Sequence, residues 1–299
     1  MNTIRKNLEA VIRKGYQPHK VYEDWIGLMF HAFQRDDAHY LEIMRQYRND
    51  APHGQREADY FAAATADALE YMAETNRECL GPLFEEFAAS HYQGQFFTPW
   101  GVCRMIAKTT HDEGVKPDGQ ISICDPASGA GTMMIAFAKE QTCAEANRTL
   151  YVGIDVNLTC ARMTALNLMF FNLNGVSIWG NSLSLEVRSA WQTHRSLAWG
   201  GALSPYPVEK AKKLLGLIPH ENSTAQPRAM LPPAPPPARS SGSPAAAPTI
   251  RRGPPARGTR TRGPARRPAR RSSRRWPPDR RFRSTPCRCR RVAFRRPWR

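Results

Sequence analysis

Along the first ninety positions, apolar residues recur at helical intervals. Trp25, Leu28, Met29 and Phe33 share one helix face, and Leu41, Met44 and Tyr47 share another. Ala62 to Ala73 is alanine-rich, with Leu69 and Met72 on one side. Pro52-His53-Gly54 and Gly81-Pro82 interrupt the pattern as turns. Residues 1–93 are therefore expected to form a helical N-terminal region.

From residue 94 the pattern alternates between short apolar runs and helical stretches. Thr98 suits an N-cap and Pro99 the first helical position, so a helix is expected from there, with Val102, Met105 and Ile106 inward. Strand-like runs cover Ile121 to Asp125, Leu150 to Asp155 and Val176 to Trp179; helical patterns cover Met133 to Glu145 and Leu158 to Asn172. Strands alternating with helices predict an α/β fold with a parallel sheet. Beyond Leu185, Val187 to Trp199 is expected to be a helix with Trp191 inward, and Val208 to Leu217 another. No fourth strand is expected, so the sheet is a partial one.

Composition changes the picture at the C-terminus. Residues 227–299 hold 16 of the chain's 25 prolines and 22 Arg, no Lys and one acid, Asp279. The formal charge of +17 is thus +21 in this tail and −4 in residues 1–226. Such a segment cannot bury enough apolar surface to fold and is expected to be disordered. Two origins stay open: a nucleic-acid-binding arm whose Arg side chains neutralise phosphates, or a terminus translated in a shifted frame, since GC-rich DNA encodes Arg, Pro, Ala and Gly. The expected organisation is 1–93 helical, 94–226 ligand-binding α/β, and 227–299 tail.

Cys79, Cys103, Cys124, Cys143 and Cys160 are scattered without metal-ligand spacing. A reduced cytoplasmic protein is the expectation. No apolar run has the length of a membrane span, so no membrane partner is expected. The histidines show no ligand spacing either, and no metal site is expected. Glu85-Glu86 reads as a solvated helix face.

The candidate chemistry lies in Asp125-Pro126-Ala127-Ser128-Gly129-Ala130-Gly131-Thr132, between a strand and a helix. A glycine turn there lets backbone N–H groups approach a bound nucleotide. The Asp-Pro-x-x-Gly-x-Gly spacing resembles the S-adenosylmethionine (SAM) loop of amino-methyltransferases acting on DNA. Three further blocks stand in order around it: Gln95-Phe96-Phe97-Thr98-Pro99, Gly153-Ile154-Asp155-Val156-Asn157 and Gly180-Asn181-Ser182-Leu183. Together they resemble the N-6 adenine DNA methylases, in particular type I restriction modification subunits, over roughly residues 60–185. The resemblance implies a Rossmann-like SAM-dependent methyltransferase fold. For residues 1–93 it leaves two roles open, a plain helical cap or recognition of DNA or a partner.

The resemblance also implies roles. Asp125 faces the amino-acid end of SAM, and Ala127, Ser128, Gly129 and Gly131 shape the close approach. Thr132 opens a helix whose positive end points into the site. Asp155 accepts from the ribose hydroxyls. Asn181 hydrogen-bonds the adenine amino group, its alternative being a turn residue. Thr98 and Pro99 pack on the methionine part, and Phe96 or Phe97 lies against the sulfonium, the alternative for both rings being the core.

One block is missing. The family acts on a weakly nucleophilic adenine amine through an Asn/Asp-Pro-Pro-aromatic loop. Every Pro-Pro pair here lies in the tail, and none follows Asn or Asp. The catalytic residues are therefore unassigned. Three functions stay open: a SAM-dependent DNA adenine-N6 methyltransferase working with DNA and a specificity or other restriction-modification subunit; a SAM-binding relative that transfers nothing and acts in regulation or in a mobile element; and a nucleic-acid-binding protein acting through its Arg tail.

Overall fold

The computed structural model describes residues 1–88, 95–111, 119–196 and 201–217. The Arg-rich tail, His91 and Trp199 lie outside the described residues.

Five helices open the chain: α1 (Asn2–Ile12), α2 (Pro18–Gln34), α3 (Asp37–Met44), α4 (Glu57–Thr75) and α5 (Leu80–Phe87). Their aromatic residues set the packing. Tyr22 and Trp25 are fully buried and meet edge-on at 5.8 Å, and Phe84 meets Tyr22 in the same way. Both polar tips are satisfied, Tyr22 Oη donating to Leu80 O at 2.6 Å and Trp25 Nε1 to Thr65 Oγ1 at 3.0 Å.

Next come α6 (Trp100–Thr110), β1 (Ile121–Asp125), α7 (Thr132–Glu140), α8 (Cys143–Arg148), β2 (Thr149–Asp155), α9 (Leu158–Phe170) and β3 (Gly175–Asn181). Then follow β4 (Glu186–His194), β5 (Ala202–Tyr206) and α10 (Val208–Leu214). The sheet order is β1-β2-β3-β4-β5, with β1, β2 and β3 parallel and the last two pairings antiparallel. Buried residues of α9 (Cys160, Met163, Ala165, Leu166 and Met169) share one core with α1, α2, α4 and α5. Full burial of a side chain such as Leu166 contributes about 1.5–3 kcal/mol. A smaller core on the other sheet face joins Val152, Ile154, Val176 and Ile178 to Ala211 of α10.

Several expectations change. The segment from Val187 is strand β4, not a helix. It pairs antiparallel with β3, and a register shift between Trp179 and Gly180 interrupts the strand alternation, so that Val187 and Ala190 both join the core on one face while Trp191 packs edge-on to Phe30 at 4.9 Å. The sheet is therefore mixed and five-stranded, with an antiparallel hairpin appended to three parallel strands. Strand β5 contains Pro205, which lacks an N–H and is tolerated because β5 is an edge.

The helical stretch after Met133 is broken in two. Thr142 and Glu145 form a capping box that starts α8, with Thr142 N and Oγ1 both 2.7 Å from Glu145 Oε2. Pro99, not Thr98, is the N-cap of α6. The inner face of α6 is Cys103 and Ala107, packed on Ala136 of α7. Small residues there let the two helices approach closely, and Val102, Met105 and Ile106 are left 40%, 60% and 36% exposed.

Candidate functional site: the turn after strand β1

The turn begins where β1 ends, and its shape follows from two glycines. Gly129 and Gly131 have φ of 54° and 78°, left-handed values that glycine adopts without steric cost. A Cβ on Gly129 would stand 2.5 Å from the Phe97 ring. Phe97 therefore lies on the turn, with Phe84 edge-on behind it at 5.3 Å. Glu85 Oε1 accepts from Phe97 N at 3.0 Å, so this acid is not merely solvated. Phe96 is 90% exposed, which removes the core alternative for that ring. Thr98 and Pro99 are exposed beside it, Thr98 O accepting from Cys103 Sγ at 3.3 Å.

Hydrogen bonds fasten the turn to β2 and α9. Ser128 N donates to Ile154 O at 2.9 Å, and Gly129 N to Asp155 Oδ2 at 2.8 Å. Thr164 Oγ1 lies 2.9 Å from Gly129 O and 3.1 Å from Ser128 Oγ. The other oxygen of Asp155 accepts from Asn157 N at 2.9 Å, and Asn157 caps α9 through Thr159 N and Cys160 N. Asn157 Nδ2 reaches Gln95 Oε1 at 3.4 Å, so the Gln95 block and the Asp155 block meet.

Asp125 and Asp155 both end strands beside this turn. Asp125 Oδ1 accepts from Ala127 N at 3.1 Å; among the described residues its other oxygen accepts nothing. Burial pushes the Asp125 carboxyl up from the usual carboxylate range, and the Ala127 amide pulls it partly back. Burial likewise pushes Asp155 up; the amides of Asn157 and Gly129 lower it, and repulsion from Asp125 adds to the rise. Helix α7 starts at the same place with Gly131 as N-cap and no side-chain cap. Its first N–H groups are thus available to an anionic group.

Asn181 takes a different part. Its Oδ1 accepts from Leu183 N at 2.9 Å and Ser184 N at 3.2 Å, closing the turn into β4. The turn alternative is the one its geometry adopts. Leu185 follows with φ of 59°, and a Cβ on Gly180 would stand 2.1 Å from Glu186 O. A tight hairpin therefore fills the stretch after β3. Next to it, a cavity of about 420 Å³ opens between α2 and the start of α9, with Asp24, Val156, Asn157, Arg162 and Trp179 in its wall.

Residues 78–195 match the model of the N-6 DNA Methylase family. The match covers less than half of the chain, and what it shows is that this segment is similar to that family. The matched segment runs from Glu78, just before α5, to Arg195, just after β4, and holds every residue of the turn. The fold itself is α/β, with helices around a mixed sheet whose first three strands are parallel. Two solved structures are similar to the chain. One is a Listeria monocytogenes protein assigned to the class I S-adenosylmethionine-dependent methyltransferases, with 13% identity, 58% of this chain and 52% of that one covered, and a TM-score of 0.37. The other is the type I restriction-modification system methyltransferase subunit from Streptococcus thermophilus, with 14% identity, 57% and 36% covered, and a TM-score of 0.32. The chain spans about half the length of the first and about a third of the second. No curated protein sequence matches the chain.

Away from the turn, His31, Asp36 and His39 bring potential ligand atoms within 4.8 Å of one another. Arg162 Nη2, which can only donate, lies 3.3 Å from His31 Nε2. The ring proton is thereby placed on Nδ1, 3.0 Å from Asp36 Oδ2. That tautomer leaves His31 Nδ1 without a lone pair for a metal. Burial and the Arg162 charge lower the His31 pKa from its ordinary value, and the Asp36 contact pulls it partly back. Among the described residues no helix is long and apolar enough to cross a membrane.

Proposed function

We propose that the carboxyl ends of β1 and β2 bind SAM, and that the protein takes part in methyl transfer to adenine N6 in DNA. The observation that carries the cofactor reading is the Asp125–Asp155 pair beside the Gly129 turn. Both carboxyls are raised by burial, and Asp155 is raised further by Asp125. A ligand with positive charge relieves that cost, and SAM brings a sulfonium and an ammonium.

The residues present fit such a group. Asp125 retains an oxygen that accepts nothing among the described residues, and suits the ammonium. Each Asp155 oxygen accepts one backbone N–H and has lone-pair capacity left for ribose hydroxyls. The uncapped start of α7, at Thr132, suits the cofactor's carboxylate. Ala127, Ser128, Gly129 and Gly131 keep the backbone close, and Phe97 offers a ring face to a cation. Phe96, Thr98 and Pro99 form the exposed rim. Asn181 contributes through the turn it closes, with Nδ2 as its remaining polar group. When bound, SAM supplies an activated methyl group.

Adenine as the acceptor, DNA as the substrate and a partner subunit all follow from the family reading. Residues 1–299 hold no Asn/Asp-Pro-Pro-aromatic loop, so in this reading the groups that hold the base come from outside these residues, a partner subunit being one source. The same absence favours a second reading, a SAM-binding protein that transfers nothing. Calorimetric titration of the full chain with SAM, with D125A and D155A as controls, tests the cofactor site; binding is expected for wild type and lost in both variants. Methyl incorporation into adenine-containing DNA, with and without candidate specificity subunits, separates the two readings. Binding without transfer under every condition would establish the second.

A further inference from the structure

Glu78 stands just before α5 and is 7% exposed, yet no step of the cofactor reading uses it. Its carboxylate lies where three elements meet. Oε2 accepts from Gly81 N, in the first turn of α5, at 2.9 Å. Oε1 accepts from Thr132 Oγ1, the first residue of α7, at 2.9 Å. Asn167 Nδ2, on α9, lies 3.4 Å from Oε2 and donates to Ala130 O at 2.7 Å. Every group reaching the carboxylate donates to it. Burial pushes this carboxyl up, and these donors pull it back.

The contact is close as well as polar. A Cβ on Gly81 would stand 2.9 Å from Glu78 Oε1 and 3.2 Å from Ala130 Cβ. Ala130 is fully buried between the two glycines of the turn. Pro126 and Ala127 on one side of the turn are exposed, and Ala130 and Thr132 on the other rest on Glu78, Gly81 and Asn167. A turn built on two left-handed glycines has little rigidity of its own, so its geometry depends on that support.

We propose that Glu78 is a positioning residue for the cofactor turn: through Thr132, Asn167 and Gly81 it holds residues 130–132 against α5 and α9, and so sets the affinity of the matched segment for SAM. This rests on the reading of the turn as the cofactor site. Removing a buried acceptor leaves the buried donors that met it unsatisfied. Gln at this position keeps an acceptor for Gly81 N and can donate to the Thr132 hydroxyl, whereas Ala keeps neither.

The test uses the full chain, hydrogen exchange of the 126–134 segment against α1 and α4, and calorimetry with S-adenosylhomocysteine. E78A is expected to speed exchange in the turn about tenfold or more and weaken binding by a similar factor. The α1 and α4 segments should keep wild-type protection, and E78Q should restore most of both losses. Wild-type exchange in the turn of E78A overturns the proposal, and so does a loss that Gln does not rescue. If the wild type binds no S-adenosylhomocysteine, the cofactor reading fails. The exchange arm then still decides whether Glu78 holds the turn. Should E78A not fold, T132V removes one partner of the carboxylate and is judged by the same exchange and affinity criteria.

Discussion

Gly129 and Asp155 lie 26 residues apart in sequence, and the backbone N–H of one donates to the carboxylate of the other at 2.8 Å. The glycine turn after β1 is thereby fastened to the end of β2. Asp155 also orients Asn157, the cap of α9. One carboxylate thus fixes the turn, the strand end and the entry of the next helix.

D155A should therefore lose stability as well as cofactor binding. Leaving the Gly129 and Asn157 amides without their acceptor is expected to cost about 1–3 kcal/mol. D155N keeps one acceptor oxygen and should lose less stability, but should still bind SAM at least about tenfold more weakly than wild type. Urea unfolding and calorimetry on the three proteins check this. Equal stability of D155A and wild type would contradict the fastening role.

Asp125 gives a pH signature. Its folded pKa is raised by burial, so its favourable contribution is present below the unfolded value, about 3.9, and is lost as pH rises through the raised folded value. D125N, which keeps the acceptor for Ala127 N, should raise the apo-protein's Tm at pH 7. The difference from wild type should shrink toward pH 4. The same variant should bind SAM more weakly, a trade of function against stability. Thermal scans from pH 4 to pH 7.5 settle the sign; a Tm lowered by D125N at pH 7 would contradict it.

Two glycines should respond oppositely to alanine. G129A meets the Phe97 ring and a left-handed φ; it should cost about 1–3 kcal/mol and abolish SAM binding. G101A, in α6 with nothing within 4 Å of its added Cβ, should stabilise by about 0.5–1 kcal/mol. Denaturant midpoints compare the pair directly.

Asn157 caps α9, the helix that packs both on the sheet and on the N-terminal helices. N157A should lower stability by about 1 kcal/mol, and N157D, itself a good cap, by less. Equal losses in the two variants would point to the Gln95 contact rather than the cap.

Much of the α/β framework is legible in local pattern. Ile121 to Asp125 reads as a strand because β-branched residues alternate between a glycine and a proline turn, and β1 has those bounds. β2, β3 and α9 fall within two residues of the expected ends. The site is legible to the extent that its parts sit at strand ends: Asp125, the two glycines and Asp155 are all brought to one turn. Glu78, Glu85, Thr164 and Asn167 are not legible. Nothing in the spacing of the sequence marks the partner of any of them.

The sequence by itself determines periodicity, turn positions and the glycines that permit a left-handed backbone, because these depend on a residue and its near neighbours. Only the tertiary structure decides what each face meets. It makes Val187 to His194 a strand by pairing it with β3, turns the small face of α6 inward against Ala136, and buries Glu78 under the turn. Those outcomes depend on contacts beyond a residue's near neighbours, where a partner's shape and hydrogen-bonding groups outweigh local preference.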